Sequence, residues 1–130
     1  MGFLRFVVSE LDPDSGRRQS VLQAAFTLRD RGELSPEELA ALSAVGHWLD
    51  DHLPKPARFT RKRNHSHRTP MALSWFKDTA REHVAKVRIV AALLEARGVV
   101  VFTVATERPG YVVYEDDFQV VAEPFADSGA

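Results

Sequence analysis

The stretch VVVFTVATERPGYVVYEDDFQVVAEP, residues 99–124, decides the fold. Three runs rich in Val, Phe and Tyr are separated by Glu107–Gly110 and by Asp116-Asp117, both of turn composition. That pattern predicts an antiparallel meander of strands at 99–106, 111–115 and 118–124. With those turns, one face carries Val100, Phe102, Val104, Tyr111, Val113, Phe118, Val120 and Ala122, and is expected to pack on helices. The other carries Val101, Thr103, Ala105, Val112, Tyr114, Gln119, Val121 and Glu123. A one-residue slip in either turn exchanges the two sets.

Working outward, FLRFVV (3–8) reads as a further strand, closed by Asp-Pro-Asp-Ser-Gly punctuation. Val21, Leu22, Ala25, Phe26 and Leu28 recur at near-helical spacing before Gly32, which predicts a helix over 15–31. Ser35-Pro36-Glu37-Glu38 combines an N-cap serine, proline at N1 and glutamate at N3, a capping box. It opens a helix over 36–53 with Leu39, Leu42, Val45, Trp48, Leu49 and Leu53 as its apolar stripe. A third helix is expected over 75–97, capped by Ser74 and ended by Gly98, with Phe76, Ala80, Val84, Val87, Ala91 and Leu94 on one face. The order β-α-α-α-β-β-β predicts an α+β fold: a mostly antiparallel four-stranded sheet with three helices chiefly on one face. A single domain over 1–125 is expected, with a long basic loop at 54–72 and a disordered tail at 126–130.

Composition sets the outer limits. The 130 residues suit one domain, and 45% hydrophobic with 27% charged residues is ordinary for a globular protein. With no cysteine, disulfides, thiolate nucleophiles and cysteine-bound zinc are excluded. The N-terminal run lacks the layout of a secretory signal, and no apolar stretch approaches the ~20 residues a membrane span needs. A cytoplasmic location without membrane association is the expectation. No phosphate-binding glycine loop, dinucleotide fingerprint, nucleophile elbow or zinc-protease motif occurs, and no cofactor is expected.

Charge is unevenly spread. Lys55, Arg58, Arg61, Lys62, Arg63 and Arg68 fall between Pro54 and Arg68 with no acid among them. The other 11 basic residues stand against 18 acids, a balance of −7. Together with Phe59, His65 and His67, these cations suit phosphate contact with a ring stacking on a base. A solvated linker or contact with an acidic protein fits the same residues. His65 and His67 alternate on an extended segment, so both reach one side. A metal-dependent or two-histidine nuclease or phosphodiesterase is the competing reading, weakened by the surrounding cations, which repel a metal ion. His83 is expected to be a satisfied, partly buried core histidine.

Arg108-Pro109-Gly110-Tyr111 reads first as turn chemistry, with Arg108 as an anion clamp at a sheet edge the functional alternative. Val101, Thr103, Val112, Tyr114, Gln119 and Val121 form a half-apolar surface. Either a helix covers it, or it stands exposed, or it meets a partner such as a second copy in a homodimer. A non-enzymatic binding module for nucleic acid or an acidic protein is the leading reading.

The stretches ALSWFKDTAREHVAKVR (72–88) and TERPGYVVYEDDFQVVAEPF (106–125) resemble small bacterial proteins with no assigned activity. The resemblance implies a bacterial, cytoplasmic, single-domain protein and supplies no catalytic residue.

Overall fold

The computed structural model describes residues 2–12, 16–54 and 72–125. The fold is α+β, with three helices and an antiparallel sheet, as the residue patterns predict. The sheet has six strands rather than four. In chain order they are β1 Phe3–Leu11, β2 Arg18–Ser20, β3 Leu73–Lys77, β4 Val101–Thr106, β5 Tyr111–Glu115 and β6 Gln119–Glu123. The helices are α1 Val21–Asp30, α2 Pro36–His52 and α3 Arg81–Ala96.

Two strands lie where helix was expected. Ser20 caps α1 by accepting from Gln23 N, so Arg18–Ser20 stay extended and pair with the C-terminal part of β1. Ser74 caps nothing. LSWFK is β3, and its alternation sends Leu73 and Trp75 to one face and Phe76 to the other. Phe76 and Ala80 happen to continue the spacing of α3, which mimics a longer helix. The chain turns at Asp78, whose N–H donates to Gly2 O and whose Oδ2 accepts from Gly2 N. The helix over 36–53 matches α2, and both halves of the Ser35–Glu38 capping box form.

The expected meander is broken. β5 and β6 pair, but β4 pairs with β1 in a continuous register from Phe3↔Thr106 to Val8↔Val101. β1 also pairs with β3, and β3 with β6, so the strands run β4-β1-β3-β6-β5, with β2 sharing the β3 side of β1. β4 and β5 thus occupy opposite ends of this order, yet only residues 107–110 join them. Five residue steps reach at most ~18 Å, whereas four strand spacings in a flat sheet cover ~19 Å sideways alone. The registers also put Thr106 and Tyr111 at opposite ends of β3. The sheet must therefore coil strongly to let the chain cross.

Coiling gives the fold two apolar clusters. Phe6 and Val8 of β1 join Val21, Ala25, Leu42, Val45, Leu49, Val84, Val87, Val90 and Leu94 beneath the three helices. The other face of the sheet holds Leu73, Trp75 and Val120, with Phe3 and Val104 against them.

The face assignment therefore reverses. Val101 packs on the helical cluster, and Gln119 and Val121 are buried. Val104 and Val120 belong to the other face. The physical reason is that β4 pairs with β1, where Val8↔Val101 puts Val101 on the face that Val8 turns to the helices, while the β5–β6 connection changes the phase of β5. That connection takes three residues, 116–118, and a bulge falls between Val112 and Tyr114, so the register shifts twice.

Candidate functional site

The clearest polar constellation joins the end of α2, the start of α3 and the β5–β6 turn. His83 is buried, and its Nε2 lies 2.8 Å from His52 O. A carbonyl only accepts, so Nε2 carries the proton. The ring stacks on Phe118, with centroids 4.3 Å apart, and meets Trp48 edge-on at 4.8 Å. Trp48 stacks in turn on His52, whose Nδ1 donates to Trp48 O. His83 is the satisfied core histidine its spacing suggests.

Asp116 organises the turn. Its Oδ1 accepts from the N–H groups of Phe118 and Gln119, and its Oδ2 from Tyr114 OH at 2.8 Å and Gln119 Nε2 at 3.0 Å. Burial alone would raise the Asp116 carboxyl, but these donors hold it below the usual aspartate value. The same bond pushes Tyr114 up, because its hydroxyl donates to a carboxylate. Asp116 is thus a structural acceptor, and Tyr114 and Gln119 are bound to it rather than presented to a partner.

Gln119 Nε2 makes a second bond, 2.7 Å to Pro54 O. Pro54 is the last described residue before the basic stretch. At the other end, Leu73 pairs with Ala122, so residues 54 and 73 are both held by β6. Lys55, Arg58, Phe59, Arg61, Lys62, Arg63, His65, His67 and Arg68 lie outside the described residues. Next to Pro54 a groove of about 600 Å³ opens between α1 and α2. Leu22, Phe26, Leu39 and Leu53 make its walls apolar, with Arg29 and His47 at its margin.

The remaining predicted residues are scattered. Arg108 is exposed in the β4–β5 connection, its guanidinium 5.2 Å from the Phe125 ring, and its N–H donates to Thr106 Oγ1. Thr103 and Val112 are exposed on different strands, Val112 at 50%. The surface that would have joined them is interrupted by the burial of Gln119 and Val121. Among the described residues no group of three His, Asp or Glu side chains stands ready to hold a metal ion, and no helix is long and apolar enough to cross a membrane.

Reasoning from the residues missed Arg5. It is 8% exposed, between Val104 of β4 and Trp75 of β3, with its guanidinium 5.7 Å from the indole centroid. The signal was a lone arginine at the centre of FLRFVV, where an extended segment should bury both faces.

Comparison with known proteins returned no matching family model, no matching curated protein and no matching solved structure.

Proposed function

We propose that this protein is a non-enzymatic binding module that engages single-stranded nucleic acid through the cationic stretch Lys55–Arg68. What supports the reading is the anchoring of both ends of that stretch on one strand, Pro54 through Gln119 and Leu73 through Ala122. A scaffold that fixes the roots of a long connection is the usual way to present binding side chains. The charge pattern agrees. Six cations stand together on a chain whose remaining balance is −7, so contact rather than long-range steering holds the partner.

Fluorescence anisotropy with a labelled single-stranded oligonucleotide tests it. Binding should weaken steeply with salt. The Arg61→Ala/Lys62→Ala/Arg63→Ala variant should lose about tenfold or more in affinity and flatten the salt slope by roughly 2, with an unchanged melting temperature. Absence of oligonucleotide binding at low salt, or unaltered binding by the triple variant, overturns the reading. Binding of polyglutamate without the oligonucleotide would reassign the stretch to acidic proteins.

A further inference from the structure

We propose that the face of the sheet away from the helices holds a small oxyanion, a phosphate or carboxylate group, between Arg5 and the indole N–H of Trp75. Neither residue belongs to the cationic stretch. Both groups are more than nine-tenths buried, Arg5 at 8% exposure and Trp75 at 1%. They stand side by side on adjacent strands, since Phe3↔Lys77 and Leu4↔Phe76 bring Arg5 next into register with Trp75.

Both groups are donors. Among the described residues Trp75 Nε1 is buried without a hydrogen-bond partner, and no carboxylate acts on the Arg5 guanidinium. Arginine carries five N–H donors and no acceptor, and indole carries one donor and no acceptor. Neither can satisfy the other, so the chemistry that completes the pair is an acceptor, preferably an anionic one. The guanidinium carbon lies 5.7 Å from the indole centroid, so the two side chains share one part of the sheet face.

Two carboxylates near these strands are engaged elsewhere. Glu115 is taken by Lys77 at 2.7 Å, and Asp78 accepts from Gly2 N. Positive charge is instead reinforced. Arg17 is near enough for its field to act on Arg5, and Arg18 lies over Phe102 of β4. Burial first, and then Arg17, bring the Arg5 guanidinium down to about 10, which still leaves it charged at neutral pH. A buried charge without a counterion is costly, and a bound anion relieves that cost. Bidentate contact on guanidinium favours phosphate or carboxylate over a spherical halide.

The test uses the whole chain. Inorganic phosphate and acetate are titrated separately at constant ionic strength against chloride, while the melting temperature is followed. Emission is read in a Trp48→Phe background, which leaves Trp75 as the reporter of the two tryptophans. One or both oxyanions should raise the melting temperature saturably and shift Trp75 emission, and the effective one identifies the ligand class. Arg5→Met should abolish both responses. Trp75→Phe should weaken the thermal response, and Arg5→Lys should retain part of it. No saturable response to either anion in the folded wild-type chain overturns the proposal, as does a full response in Arg5→Met. The wild-type titration stands alone, so it decides the matter even where a variant fails to fold. Oligonucleotide binding by the Arg5→Met chain would show that failure here does not touch the cationic stretch.

Discussion

His83 Nε2 lies 2.8 Å from the main-chain oxygen of His52, and this bond ties α3 to the last turn of α2. The carbonyl belongs to a helix terminus, where main-chain acceptors lack intrahelical donors. His83→Ala would orphan it and leave a hole between Trp48 and Phe118. The expected loss is about 3 kcal/mol, read as a lower urea midpoint with an unchanged slope. His83→Phe keeps the ring contacts and loses only the donor, so it should cost roughly half as much.

Gly110 and Gly46 should respond in opposite directions to alanine. Gly110 has φ +136°, and a methyl group there would collide with the backbone of Glu123 and Pro124. That backbone is the end of β6, so no flexible side chain can yield. Gly110→Ala should cost more than ~3 kcal/mol and expose the closure between β4 and β5. Gly46 lies within α2, with nothing within 4 Å of an added methyl. Gly46→Ala should stabilise by about 1 kcal/mol. Thermal melts of the two variants suffice.

The contrast between α2 and β3 shows what was legible in the residues. Ser35-Pro36-Glu37-Glu38 is local chemistry, and the hydrogen bonds it implies all form within four residues. LSWFK has no such local arbiter. Trp75 and Phe76 are both apolar because the coiled sheet buries both faces there, and only tertiary structure separates that from a helical stripe. The β5 bulge is equally invisible, because Val112, Val113 and Tyr114 suit either face. Arg5 was hidden because its meaning depends on Trp75, seventy residues away in the chain. The two groups that pin Pro54 and His52, Gln119 and His83, likewise come together only on folding.

Helix α2 should show a local acid sensitivity of its own. Glu38 is held below the ordinary glutamate value of 4.5, first by the Ser35 N–H, then, against burial, by Arg97 at 2.8 Å. A carboxyl lowered by folding stabilises the fold above its unfolded value. That contribution is lost as pH falls through the lower folded value. Glu38→Gln should keep an oxygen for the Ser35 N–H yet flatten the stability profile below pH ~4.5. Ser35→Ala removes the hydroxyl that accepts from Glu38 N, and should cost about 1 kcal/mol at neutral pH. Chemical denaturation at a series of pH values measures both.

Gln119→Glu offers the sharpest test of the tether between Pro54 and the β5–β6 turn. Gln119 Nε2 donates to two oxygens at once, Pro54 O and Asp116 Oδ2. The substitution changes almost no volume, but replaces those donors with a carboxylate facing a carbonyl and a second carboxylate. Burial and Asp116 both push the introduced carboxyl upward, so its folded value exceeds its unfolded one. A group raised in this way binds its proton more tightly in the folded state, and stability then rises as pH falls. The variant should lose about 3 kcal/mol at pH 7 and recover much of it towards pH 5, opposite to the trend set by Glu38. Gln119→Leu cannot titrate and should show a loss that does not depend on pH over this range. If the two variants share one pH profile, the Gln119–Pro54–Asp116 arrangement is not what holds the root of the cationic stretch.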